Sequence, residues 1–175
     1  ALIPLNSQSV AAEDFIRSSV TNRVLFVKGT EAAASPTVSS TPTISTIDPR
    51  KTAASFVSKN FSKLGVGATT LKSQRINKDL LGMNHVSYNQ FYRRIPVFAG
   101  EVLVHTNNKG EFSSASSSLA TALRVRSVAK IKRYKAVAKA VAAWKAEFKI
   151  KKRHSVKKVK QYILDMGVVS NKAEN

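Results

Sequence analysis

The sequence predicts an α+β chain, with a helix packed on an antiparallel sheet and a second, smaller helix-plus-sheet unit behind it. Three observations lead there. Asp48-Pro49 opens a stretch with helical spacing, and Gly82 to Gly110 holds two alternating runs closed by a tight turn. Beyond Arg124, apolar residues recur every three or four positions among lysines. The expected division is an N-terminal helix, strand and linker over 1–47, a main unit over 48–123, and a basic unit over 124–175.

Taken in order, Ser9 is placed to cap a short helix, VAAEDFIRSS, with Glu13 and Asp14 near its positive end. Val24 to Val27 is a compact apolar run that reads as a strand ended by Gly29. Residues 30–47 turn to Ala, Ser, Thr and Pro, too little apolar surface to offset ordering entropy, which predicts a loop with at most one irregular strand around Ile44 to Ile47. Asp48 then caps a helix with proline in its first turn; Ala53, Phe56, Val57, Asn60, Phe61 and Leu64 share a face, and Gly65 supplies the stop. Thr69 to Asn77 is expected to be a weakly alternating strand.

In the next strand Val86, Tyr88, Gln90 and Tyr92 point one way and His85, Ser87, Asn89 and Phe91 the other. A bend is expected at Ile95-Pro96, followed by alternation of Val102 and Val104 with Leu103 and His105. Asn107-Asn108-Lys109-Gly110 suits a hairpin turn because Asn and Gly tolerate positive φ. Phe112 to Ser118 returns, its serines facing water. From about Lys130, Val137, Ala140, Val141, Trp144 and Phe148 form one stripe of an amphipathic helix, where a core role is expected for Trp144. Ser155 to Leu164 fits helix or strand, and Gly167 to Ser170 reads as a turn or strand start.

The charge is lopsided. Lys and Arg number 29 against 10 acids, a formal +19, and fifteen of those bases fall between Arg124 and Lys160 with Glu147 as the only acid. Such a chain attracts polyanions or an acidic protein. With no cysteine, disulfide and thiolate chemistry is excluded, and no apolar run approaches the roughly 20 residues needed to span a bilayer. The chain begins at Ala1, which suggests that a signal peptide or other leader has been removed.

Catalytic patterns are missing. His85, His105 and His154 lie 20 and 49 positions apart and form no HExxH; two of them could meet across adjacent strands, but no nearby carboxylate pair completes a site, so they are expected to be strand histidines bonded to backbone or solvent. No Gly-rich phosphate loop and no G-x-S-x-G occurs, and Glu13-Asp14 is the one adjacent acid pair. Neither a catalytic nor a metal-ligating set is assigned, no cofactor is expected in this chain, and no small-molecule substrate is expected.

Gly82, His85, Val86, Tyr88, Gln90, Tyr92, Ile95, Pro96, Val97, Phe98, Gly100, Val102, Val104, His105 and Gly110 together resemble the propeptide motif of the thermolysin and fungalysin zinc metalloproteases. In that family an H-V-x-Y-x-Q-x-Y strand precedes G-I-P-V-F-G-G and a strand ending in Val-His. The resemblance implies a cystatin-like helix-on-sheet fold (the FTP domain) for 48–123, and more weakly a PepSY-like unit for 124–175 in which Asn175 precedes an expected last strand. Arg94 stands where the family usually has glycine, Ala99 replaces the first glycine of a pair, and Ser117 takes another glycine's place. Ile95 to Gly100 looks thermolysin-like and Ser116 to Leu119 fungalysin-like, so the branch stays open.

The resemblance implies a secreted or cell-envelope prosegment that chaperones and inhibits the protease that follows it, and is then removed. Zinc, with calcium as a further candidate, would belong to that catalytic domain. An acidic catalytic domain would meet Lys151, Lys152, Arg153, Lys157 and Lys158. Two other readings compete: a nucleic-acid-binding module built on the basic segment, and a free-standing cystatin-like inhibitor. Phe98 is expected to be buried, so that its truncation destabilises the sheet.

Overall fold

A computed structural model describes residues 13–29, 47–151 and 155–170. Its core is a six-stranded antiparallel sheet in the order β1-β2-β6-β5-β4-β3. The strands are β1 (Asp14–Arg17), β2 (Val24–Lys28), β3 (Thr70–Lys78), β4 (Asn84–Tyr92), β5 (Ile95–Thr106) and β6 (Phe112–Ser117). Among the described residues three helices accompany them: α1 (Pro49–Asn60), α2 (Arg133–Glu147) and α3 (Met166–Ser170). No helix among the described residues is long and apolar enough to cross a membrane.

Register explains the layering. One row of partners crosses all six strands as Ile76, Val86, Val104, Ala115, Val27 and Phe15. These residues form one face, and α1 covers it with Ala53, Phe56 and Val57. The Phe56 and Phe112 rings stack with centroids 4.5 Å apart. The Asp48 carboxylate accepts from Arg50 N at 2.9 Å, and Pro49 takes the first helical position, as the sequence suggests. The helix ends at Asn60, earlier than Gly65; Leu64 and Val66 still reach the core from the turns that follow.

The next row out, Asn77, His85, His105, Ser114, Lys28 and Asp14, lies on the opposite face. There Ile16 is exposed, whereas Phe26, Leu103 and both histidines are half-buried.

Several expectations need correction. The helix proposed from Val10 to Ser19 gives way to strand from Asp14 to Arg17, because pairing with β2 buries more than an isolated short helix would. Its Ser9 cap and the strand around Ile44 lie outside the described residues. The bend sits at Arg93-Arg94, not Ile95-Pro96: Tyr92 pairs with Ile95 across a two-residue turn whose central φ values are 47° and 70°. Both are left-handed, the type I′ geometry that matches strand twist.

Phe98 is 49% exposed rather than buried. Ala99, at φ 56°, interrupts the alternation and turns Phe98 outward, where its ring meets the Tyr162 edge with centroids 6.1 Å apart. Gly167 to Ser170 belongs to the short helix α3, not a strand; the Asp165 carboxylate accepts from Val168 N at 3.0 Å and caps it.

The basic segment departs furthest. Among its described residues no strand forms; Ile163 makes a single parallel bridge with Val97. The helix expected from Lys130 is present as α2, but none of its residues is buried. Trp144 is 41% exposed and Phe148 65%, against the core role expected of that stripe. Val156 and Val159 line a groove of about 430 Å³ with Val137, Val141 and Trp144, and these are its apolar neighbours. Amphipathic spacing predicted the stripe without specifying what would cover it.

The chain's last described stretch returns to the sheet. Ile163 N donates to Pro96 O at 2.9 Å, and Phe98 N donates to Ile163 O at 2.8 Å. Tyr92, Val97, Ala120 and Ile163 form a second small core. Beside it Arg23 Nη2 reaches both Asp165 oxygens, at 3.0 and 3.1 Å, with the two side chains 10% and 1% exposed.

Candidate functional site

The residues of the Gly82–Gly110 stretch divide into three groups. Tyr88, Tyr92 and Val97 are buried in the sheet, and burial raises the Tyr88 phenol above its usual range. Ile95 and Pro96 are half-buried at the Arg93-Arg94 turn. Gln90, fully buried, is a structural clamp. Its amide nitrogen donates to Ala120 O at 2.7 Å and Thr69 Oγ1 at 3.0 Å, and its oxygen accepts from Ala120 N at 2.9 Å. A Cβ at Gly100 would come within 2.8 Å of the Gln90 oxygen, so the glycine makes room for the clamp.

The third group is a polar relay on the opposite face. His85 and His105, directly opposed on β4 and β5, bring their Nδ1 atoms to 2.7 Å. His85 Nε2 lies 3.0 Å from Asp79 Oδ2. With His85 Nε2–H donating to the carboxylate, its Nδ1 accepts from His105 Nδ1–H, so both His85 nitrogens and His105 Nδ1 have partners. The His85 hydrogen bond holds the Asp79 carboxyl below its ordinary range. Burial first, and the His85 charge second, lower His105.

Asp79 also builds the β3–β4 turn. Its Oδ1 accepts from Leu81 N and Met83 N, each at 2.9 Å, and its own N–H donates to Met83 O at 2.9 Å. Gly82 closes the turn at φ 82°. At the tip Leu80 and Leu81 stand 106% and 83% exposed. Sequence reading passed over Asp79, Leu80 and Leu81, although an Asp three residues before a Gly is a turn signal with side-chain support. Two histidines could be expected to meet across adjacent strands, as His85 and His105 do, but their bond to each other and to Asp79 was not expected in place of backbone or solvent.

The neighbouring β5–β6 turn is built by Asn107, whose Oδ1 accepts from Lys109 N at 3.0 Å and Glu111 N at 2.9 Å. Gly110 abuts the Ile47 carbonyl, and Thr52 Oγ1 donates to Gly110 O at 2.6 Å. Both turns therefore sit at the α1 N-terminal end of the sheet.

Of the basic residues singled out, Lys151, Lys157 and Lys158 are exposed, while Lys152 and Arg153 lie outside the described residues. Among the described residues no group of three or more His, Cys, Asp or Glu side chains is placed to hold a metal ion.

No curated protein and no solved structure matches the chain significantly. Residues 69–119, fewer than half of the chain, match the family model described as FTP, the Fungalysin/Thermolysin Propeptide Motif, so β3 to β6 carry the propeptide motif of thermolysin- and fungalysin-type proteases.

Proposed function

We propose that this chain is the prosegment of a secreted zinc metalloprotease, chaperoning and inhibiting the catalytic domain until cleavage removes it. The match of residues 69–119 to the propeptide motif carries this reading, because it spans the whole meander from β3 to β6. The cystatin-like description of the main unit and the PepSY-like description of 124–175 belong to the same proposal. So does zinc, with calcium as a further candidate, in the partner domain.

The charge supports an acidic partner. A surface at +19 speeds encounter with an acidic catalytic domain, through Lys151, Lys152, Arg153, Lys157 and Lys158. Cleavage between the two would lower their effective concentration and weaken inhibition. The test adds the chain in trans to the mature protease of the same precursor at low salt. Slowed peptide hydrolysis, and a higher refolding yield of denatured protease, are the expected results. Absence of both binding and inhibition would overturn the proposal.

Exposed aromatics beside lysines on α2 favour one second reading, a nucleic-acid-binding module. Lys135 and Lys139 lie across the helix from Tyr134 and Trp144, whereas Lys145 follows Trp144 on the near side and Lys158 and Lys160 line the same groove, so this reading keeps its own test. Retention on a polyanion column that falls steeply between low and moderate salt would revive it.

A further inference from the structure

We propose that Leu80 and Leu81 form a preorganised apolar anchor, which the β3–β4 turn inserts into an acid-rimmed apolar pocket of a protein partner. The partner is the catalytic domain, so this inference rests on the prosegment reading. Leu64 and Leu119 of the sheet unit are each 1% exposed, and even the most exposed leucine within its strands, Leu25, reaches only 41%. The adjoining turn at the same end of the sheet carries Asn107, Asn108, Lys109 and Gly110, the polar composition expected of a turn in water. Two adjacent, almost fully exposed leucines are therefore a departure that the fold does not require. A contiguous exposed apolar pair on a rigid support reads as a contact point.

The support is what separates this tip from a merely greasy loop. Asp79 fixes the backbone of Leu81 and Met83 through one carboxylate oxygen. Gly82 N donates to Asp79 O at 3.1 Å and closes the turn from the other side. The second carboxylate oxygen is held by His85, itself held by His105 across the β4–β5 pair. Backbone freedom is already spent before any partner arrives, which lowers the cost of binding. Asp79 thus acts as a positioning residue for the leucines.

Charge selects the pocket. Lys78 precedes the turn, and a Cβ at Gly82 would lie 3.4 Å from the Asn108 Cβ, so Lys109 belongs to the next tip along. The one carboxylate in the turn, Asp79, is engaged inward. An apolar tip flanked by Lys78, with Lys109 on the adjoining turn, suits an apolar pocket with acids at its rim.

The experiment compares the wild-type chain with a Leu80→Ser/Leu81→Ser double variant, Leu80→Met/Leu81→Met and Asp79→Ala. Each is tested for inhibition of the mature protease of the same precursor, and for binding to vesicles of phosphatidylcholine and phosphatidylglycerol. The serine variant is expected to lose at least tenfold in inhibition with an unchanged Tm, since both side chains are exposed. The methionine variant should keep most of it, and Asp79→Ala should fall between.

Equal inhibition by the serine variant and the wild type would overturn the anchor and leave the prosegment reading standing. No inhibition by the wild type would overturn both. Leucine-dependent binding to vesicles, without leucine-dependent inhibition, would assign the tip to a lipid interface and overturn the protein pocket.

Discussion

The sheet unit and the basic segment between Arg124 and Tyr162 have similar apolar patterning and opposite fates. In the first, α1 lays Ala53, Phe56 and Val57 on rows of Val86, Val102 and Val104, and those side chains are buried. In the second, α2 presents Val137, Val141, Trp144 and Phe148 at the same spacing and buries none of them. The lesson is about partners. A helical stripe becomes core when a second layer stands at packing distance; α1 has the sheet, whereas α2 has Val156 and Val159.

Truncation should expose that difference most sharply. Phe56→Ala removes a buried ring stacked on Phe112 and should cost about 3–5 kcal/mol in urea unfolding. Phe148→Ala should cost less than about 0.5 kcal/mol. Comparable losses would mean that α2 is packed as tightly as α1.

A second variant tests where the boundary between the regions falls. Asp165→Leu would leave the Arg23 guanidinium buried without its carboxylate, at roughly 3 kcal/mol or more. A loss of that size would place Ile163 to Ser170 energetically with the sheet. A neutral result would assign those residues to the basic segment.

Acidity should also separate the two. Folding lowers His105, so the unfolded chain takes up more protons once pH falls below 6.5, and stability declines from there downward. Asp79 is lowered as well, so its contribution persists above 3.8 and is lost as pH falls through its folded value. Both changes have the same sign: the urea midpoint should drop on going from pH 7.5 to pH 5, and His105→Gln should flatten that drop. An identical pH profile in the variant would remove the relay from the account.

The smallest effect concerns the Arg93-Arg94 turn. Arg94→Gly should stabilise by about 0.5–1 kcal/mol, because φ 70° strains a residue with a Cβ and not glycine. A loss would show that the arginine side chain compensates for its backbone.

Legibility followed sequence distance. Asp48-Pro49, the Val86-to-Tyr92 alternation and the Asn107 turn were readable because each is decided by residues within a few positions. Placing β2 beside β6, with β1 outside it, was not, since the β2–β6 pairing joins residues about ninety positions apart. Gln90 left a clue: a polar residue in phase with Val86 and Tyr88 must find partners inside, and Gly100 opens room for its side chain. Two arginines are not a type I′ signature, so the Arg93-Arg94 turn was signalled only by the glycine that the family usually has where Arg94 stands. The Asp79–His85–His105 relay needed register, which periodicity alone does not supply.

The Gln90 clamp holds Ala120, and the bridge to Val97 holds Ile163, within one small cluster. The basic arm therefore departs from and rejoins the sheet at neighbouring points, like a handle on a cup. Its forty-odd residues can be exchanged for a short flexible connector at modest loop-closure cost, making the arm a detachable cassette whose charge can be retuned without rebuilding the body that carries it.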